Sequence, residues 1–298
     1  MATSSWHRWQ LTAPLAALSR PVRATRVRSA TVPTGPAAAS GAPGVGPATA
    51  HTAPGPSAAA GAETAVGGPT AVGRPGAQRD DGLPVLLGEA RARQVDGTTC
   101  GSAVLVMLAA TGDPALAEWL ETGRLPEGHR PPEVPAGEVG AEAADRFAAA
   151  QREVKRATGR RALGPLPWPA ALGTPPWTAA RAARFPGVRY RVRPVDDSAA
   201  DAPAILGLVE SANRRGLPVP LYVGGDLRGG VAHAVPRHVV LAVPPAPGAA
   251  LPGTLHLYEP AAGSVYSVPT ADLLNRTTPH PALGGWTHVM AALLPVPA

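Results

Sequence analysis

After Leu18 this 298-residue chain carries almost no large apolar side chain until the run Gly82-Leu83-Pro84-Val85-Leu86-Leu87. A stretch of Ala, Gly, Pro, Ser and Thr cannot bury enough surface to offset the entropy of ordering it. Residues 1–80 are therefore expected to be a disordered low-complexity tail, with folding confined to one domain over 81–298. The charge divides the same way. The tail holds seven arginines against Glu63 and Asp80, a net of +5, whereas residues 81–298 hold 20 Lys+Arg against 19 Asp+Glu, a net of +1. The basic balance belongs mostly to the tail, so the folded part needs no nucleic-acid partner to explain it. Lys155 is the sole lysine beside 26 arginines. With the Ala, Gly and Pro excess, this reads as a GC-rich coding bias rather than selection for phosphate binding.

Within 81–298, helical patterns come first and strand patterns later. Gly82 to Leu87 is a short candidate strand. Residues 99–111 are apolar all round and predict a buried helix stopped by Gly112. Asp113-Pro114 is an N-cap with proline at N1 and opens a helix over 115–122, ended by Gly123. Further helices are expected over 139–158, 178–185 and 202–215. The tryptophan-bearing segment 165–177 reads as a loop pinned by its aromatics. The alternation in Val188-Arg189-Tyr190-Arg191-Val192-Arg193 predicts a strand with one solvated face. Strands follow at 219–223, 239–243, 254–258, 264–268 and 289–294, separated by Gly- and Pro-rich turns. Helices followed by a run of antiparallel strands indicate an α+β fold.

The single cysteine, Cys100, stands where the polar loop Gln94-Val95-Asp96-Gly97-Thr98-Thr99 meets the apolar helix. One cysteine excludes intramolecular disulfides and any CxxC metal site. Lone cysteines are usually inert packing. A thiol at a helix N-terminus, however, faces unpaired backbone N–H groups and the positive end of the helix dipole, which favour thiolate. The two threonines offer hydroxyls that can cap the helix, and Gly97 and Gly101 allow close backbone approach. Gln94 could turn its amide donor toward whatever the sulfur attacks.

A nucleophilic thiol needs a base, an orienting group for that base and donors for the oxyanion. Of eight histidines, His7 and His51 lie in the tail and His129 in a proline loop. His280 and His288 flank a Gly-Gly-Trp turn. His256 lies within a strand whose core position is Leu255. His238, at the head of an apolar strand, is the preferred base, with His233 in the preceding loop as the lesser candidate. A His233–His238 metal pair lacks further ligands. Glu259, closing the next strand and fixed by Pro260, is the candidate orienter; its bland alternative is a surface carboxylate at a turn.

Gln94…Cys100-Gly101, His238-Val239-Val240 and Glu259-Pro260-Ala261-Ala262-Gly263 together resemble papain-like cysteine peptidases, in particular the bacterial branch related to bacteriocin-leader-processing (double-glycine) peptidases. The resemblance spans about residues 83–296. It takes in the strand at 218–224 and the terminal Gly-Gly-Trp…Leu-Leu-Pro segment. It implies a papain-like α+β fold with an N-terminal helical part packed on an antiparallel sheet. It also implies Cys100 as nucleophile, His238 as general base, Glu259 as orienter and Gln94 as oxyanion donor. One departure matters: the family carries Asp or Asn where this chain has Glu259, one methylene longer, which would overshoot unless the strand end sits about 1 Å further back.

The expected activity is thiol hydrolysis of peptide or isopeptide bonds, without metal or cofactor, on a peptide or protein substrate. Two alternatives are acyl or amide transfer of the transglutaminase-like kind and a catalytically inactive binding module. No stretch of about 18 apolar residues is present, so no membrane span is expected. The apolar run Leu11–Leu18 is proline-broken and lacks a cleavage site, which argues against a signal peptide. A cytoplasmic monomer is expected, with secretion as the alternative.

Overall fold

The computed structural model describes residues 82–225, 236–246 and 250–298. The expected tail over 1–80 and the lesser candidate His233 lie outside the described residues. Nine strands and five α-helices occur among those described. The strands are β1 (Leu83–Pro84), β2 (Leu86–Leu87), β3 (Ala90–Arg91), β4 (Val188–Pro194), β5 (Val219–Gly224), β6 (His238–Val243), β7 (Thr254–Glu259), β8 (Ser264–Pro269) and β9 (His288–Pro297). The helices are α1 (Cys100–Gly112), α2 (Pro114–Thr122), α3 (Ala143–Gly159), α4 (Pro176–Ala182) and α5 (Ala202–Arg214).

Seven strands form one sheet in the order β1-β8-β7-β6-β5-β9-β4, every neighbouring pair antiparallel. Strand alternation sends Tyr222, Val239, Leu241 and Tyr258 to one face and Leu221, Val240, Leu255 and Leu257 to the other. Helices α1 to α4 build the core on the first face, and α5 covers the second. The fold is thus mixed α+β on an antiparallel sheet, with α1 buried along almost its whole length. No single helix among the described residues is long and apolar enough to cross a membrane.

Local chemistry sets both ends of α2. Asp113 Oδ1 accepts from the N–H groups of Ala115 (3.0 Å) and Leu116 (3.3 Å), which with Pro114 at N1 starts α2. Gly123, at φ 80°, ends it by donating its N–H to the Trp119 carbonyl at 2.8 Å. Several boundaries differ from expectation. α1 runs through Gly112, because extended Asp113 rather than a left-handed glycine terminates it. α3 begins at Ala143 instead of 139. Gly140 is a poor helix residue, and the Arg146 guanidinium bonds the carbonyls of Ala141, Leu120 (3.0 Å) and Glu121 (2.7 Å), holding the preceding turn open. α4 starts two residues early, since Pro176 fits N1. Trp168 and Trp177 pack edge to face with centroids 5.2 Å apart, and Trp177 Nε1 donates to the Ala162 carbonyl at 2.8 Å, pinning the loop before α4. β4 is an edge strand with Arg189, Arg191 and Arg193 exposed.

Candidate active site

Cys100 is the first residue of α1 and 3% exposed. The loop before it is an Asp-centred turn. Asp96 Oδ1 accepts from the Thr98 N–H (2.7 Å) and the Thr98 hydroxyl (2.6 Å), while Asp96 N–H donates to Thr99 Oγ1 at 3.0 Å. The Thr98 hydroxyl chiefly, with burial opposing and Lys155 and Arg152 assisting, holds the Asp96 carboxyl below its ordinary range. The threonines thus serve this turn, not the helix: Thr99 is the N-cap residue, yet no side chain caps α1, which corrects the capping expectation. The N–H groups of the first turn therefore stay available beside the sulfur.

His238 heads β6 and Glu259 closes the neighbouring β7. The register Leu241↔Tyr258 and Ala242↔Leu257, continued to the strand ends, puts them at diagonal positions on one face, within reach of long side chains. His238 Nε2 and Glu259 Oε1 are 2.7 Å apart, with both residues buried. The longer glutamate side chain thus meets the imidazole rather than overshooting it. Two backbone donors fix the carboxylate from behind: Ala261 N–H to Oε1 at 2.8 Å and Ala262 N–H to Oε2 at 2.6 Å. With Nε2 committed to Glu259, Nδ1 is the ring nitrogen left for Cys100, whose thiol helps to raise the His238 pKa.

The electrostatics follow from these contacts. Burial alone would lower the His238 pKa. Hydrogen bonds to Cys100 and Glu259, and the charges of both, outweigh it and push the value up to about 9. Burial would raise the Glu259 pKa, but the His238 hydrogen bond and the two amides hold it below the ordinary carboxylate value. Tyr222, buried on the α1 side of the sheet, is pushed well up by burial and then by Cys100, and its hydroxyl donates to the Thr174 carbonyl at 2.9 Å. Thr174 in turn packs so close to Gly101 that a Cβ there would lie 2.7 Å from its own Cβ. Glycine after the cysteine is required by this approach.

Gln94 is brought to the same region through its backbone: its N–H donates to the carbonyl of Pro260, next to Glu259, at 2.8 Å. Its side-chain Nε2 donates to the Asp96 carbonyl at 2.8 Å, and Oε1 is buried without a partner. That bond orients the amide and leaves the second N–H of Nε2 for another acceptor.

Two features escaped sequence reasoning. Gly284, at φ 62°, lies against the His–Glu pair; an added Cβ would sit 2.6 Å from His238 Cδ2 and 3.3 Å from Glu259 Oε1. Its backbone closes one side of the pair, and the double glycine 284–285 was the signal for it. The second feature is a separate buried pair, His288 Nδ1 to Asp197 Oδ2 at 2.9 Å, from residues 91 apart, for which the sequence carries no signal. His256 bonds Ser267 Oγ through Nδ1 at 2.9 Å, and Leu255 is the core residue beside it. Among the described residues no group of three or more His, Cys, Asp or Glu is placed to hold a metal ion. Comparison by sequence finds no matching family model and no matching curated protein.

Proposed function

We propose that the chain is a papain-like thiol hydrolase acting on peptide or isopeptide bonds. The observation that carries this reading is the buried His238–Glu259 pair, 2.7 Å apart, whose imidazole pKa is raised by Cys100 at the start of α1. With its pKa pushed up to about 9, the His238 imidazole holds a proton at neutral pH, and the attacking species is the thiolate form of Cys100, the nucleophilic form of any cysteine.

The thiolate attacks the substrate carbonyl carbon, and the C=O electron pair moves to oxygen. The first-turn N–H groups of α1 and the free N–H of Gln94 receive that oxyanion. Collapse breaks the C–N bond as the imidazolium delivers its proton to the departing amine, leaving a thioester on Cys100. The neutral imidazole then takes a proton from water, whose oxygen attacks the thioester; the C–S bond breaks and the ion pair is restored. Glu259 keeps the ring oriented and favours its charged form throughout.

The test is incubation with a mixed peptide library, with new termini read by mass spectrometry, alongside Cys100→Ala. Cleavage by the wild type that Cys100→Ala loses supports the reading. Product carrying an added primary amine instead of water would move the assignment to acyl transfer. No Cys100-dependent product of either kind would leave a binding module.

A further inference from the structure

The segment that carries Gln94 and leads to Cys100 is gripped by helix α3. Gln151, fully buried, accepts from the Val95 N–H through Oε1 at 3.0 Å and donates through Nε2 to the Arg93 carbonyl at 3.0 Å. Its amide thus pairs with the C=O and N–H that flank Gln94, as a neighbouring strand would. Four residues on, and on the same helix face, Lys155 donates to the Thr98 hydroxyl, which itself donates to Asp96 Oδ1 at 2.6 Å. On the other side of the segment stands the turn after β7. There the Pro260 carbonyl receives the Gln94 N–H, and Gly263 packs so closely that a Cβ would lie 2.8 Å from the side chains of Arg91 and Arg93.

We propose that Gln151 and Lys155 are positioning residues: a two-point clamp that sets Gln94 and the start of α1 in the geometry that receives an oxyanion. This rests on the hydrolase reading and extends it to residues that touch no substrate. An aliphatic side chain at 151 would pack α3 on the same core. It could not fix the direction of the two backbone groups around Gln94, and a buried amide committed to them is a device for direction. Lys155, the chain's only lysine, adds a charge to a turn whose other donors are neutral.

Two thiol reagents separate positioning from packing. Iodoacetamide alkylates Cys100 by direct displacement of iodide, forming S–C without a carbonyl addition. p-Nitrophenyl acetate acylates it through a tetrahedral oxyanion, forming the S–C(acyl) bond and expelling p-nitrophenolate. The variants are Lys155→Met and Gln151→Glu, which keeps the acceptor for Val95 but loses the donor to Arg93. Lys155→Arg serves as the conservative rescue. The clamp predicts acylation at least tenfold slower in both variants, alkylation changed less than threefold, and acylation largely restored in Lys155→Arg. Acylation equal to wild type in folded Lys155→Met overturns it. So does a parallel fall of both rates with melting temperature, which marks a purely structural tie. Failure of the hydrolase reading looks different: the wild-type thiol would then react no faster than the unfolded chain with either reagent.

Discussion

Among the described residues two buried histidine–carboxylate pairs stand at strand heads, and they differ in the ring nitrogen they use and in their third neighbour. His238 is the first residue of β6 and His288 the first residue of β9. Each faces a buried carboxylate, at 2.7 Å for His238–Glu259 and 2.9 Å for His288–Asp197. His238 spends Nε2 on its carboxylate and keeps Nδ1 for Cys100, which helps to raise its pKa, whereas His288 spends Nδ1 on both oxygens of Asp197. Asp197 also accepts the Asn275 N–H through its backbone carbonyl, which ties the loop before α5 to the segment after β8. Under the proposed function the first pair serves a nucleophile; the second ties chain segments together. A rigid strand head and a buried acid are therefore general building material, and under the proposed function the sulfur decides which pair does chemistry.

The comparison can be broken by moving each pair separately. His238→Ala should lower Cys100-dependent turnover about a thousandfold, the scale of a lost acid–base group, while His288→Asn should leave turnover per folded molecule within about threefold. Steady-state kinetics corrected for folded fraction reads both. Asp197→Ala leaves His288 buried without its acceptor and should cost about 2–3 kcal/mol of stability in urea melts, with the thiol's alkylation rate unchanged. Glu259→Asp retracts the carboxylate from a diagonal neighbour and should slow turnover about tenfold, equal to about 1.4 kcal/mol, with little change in KM.

The smallest effect is on pH dependence. A folded-state His238 pKa of about 9, raised from 6.5, gives stability that is fully present below 6.5 and fades as pH climbs toward 9. The melting-temperature gap between wild type and His238→Ala should shrink over that window, and kcat should fall above about pH 9 as the proton for the leaving amine is lost. Glu259, with its pKa lowered from 4.5, acts oppositely: its contribution is present above 4.5 and lost as acid protonates it. A gap unchanged between pH 6.5 and 9 would contradict the raised His238 pKa.

Much of this was legible in the chain. Cys100 at a loop-to-helix change, His238 at the head of an apolar run and Glu259 before a proline turn are local patterns, and order along the chain linked them. The antiparallel strands were visible because Gly and Pro punctuate them. What stayed hidden depends on distant backbone. Gly284 matters because its main chain approaches a ring 46 positions away, and Gln151 because its amide matches two groups nearly 60 positions upstream. His288–Asp197 joins residues whose neighbours carry no shared pattern. The threonines before Cys100 misled in the other direction: their hydroxyls are good caps in general, but Asp96 competes for them and wins.

The most direct measurement is the rate of iodoacetamide labelling of Cys100 at pH 6. It compares native wild type, native His238→Ala and the denatured chain. The account predicts labelling at least tenfold faster in the native wild type than in the denatured chain, with the enhancement gone in His238→Ala. Equal rates in native and denatured wild type would contradict it, leaving Cys100 a buried packing residue beside a histidine that serves the fold alone.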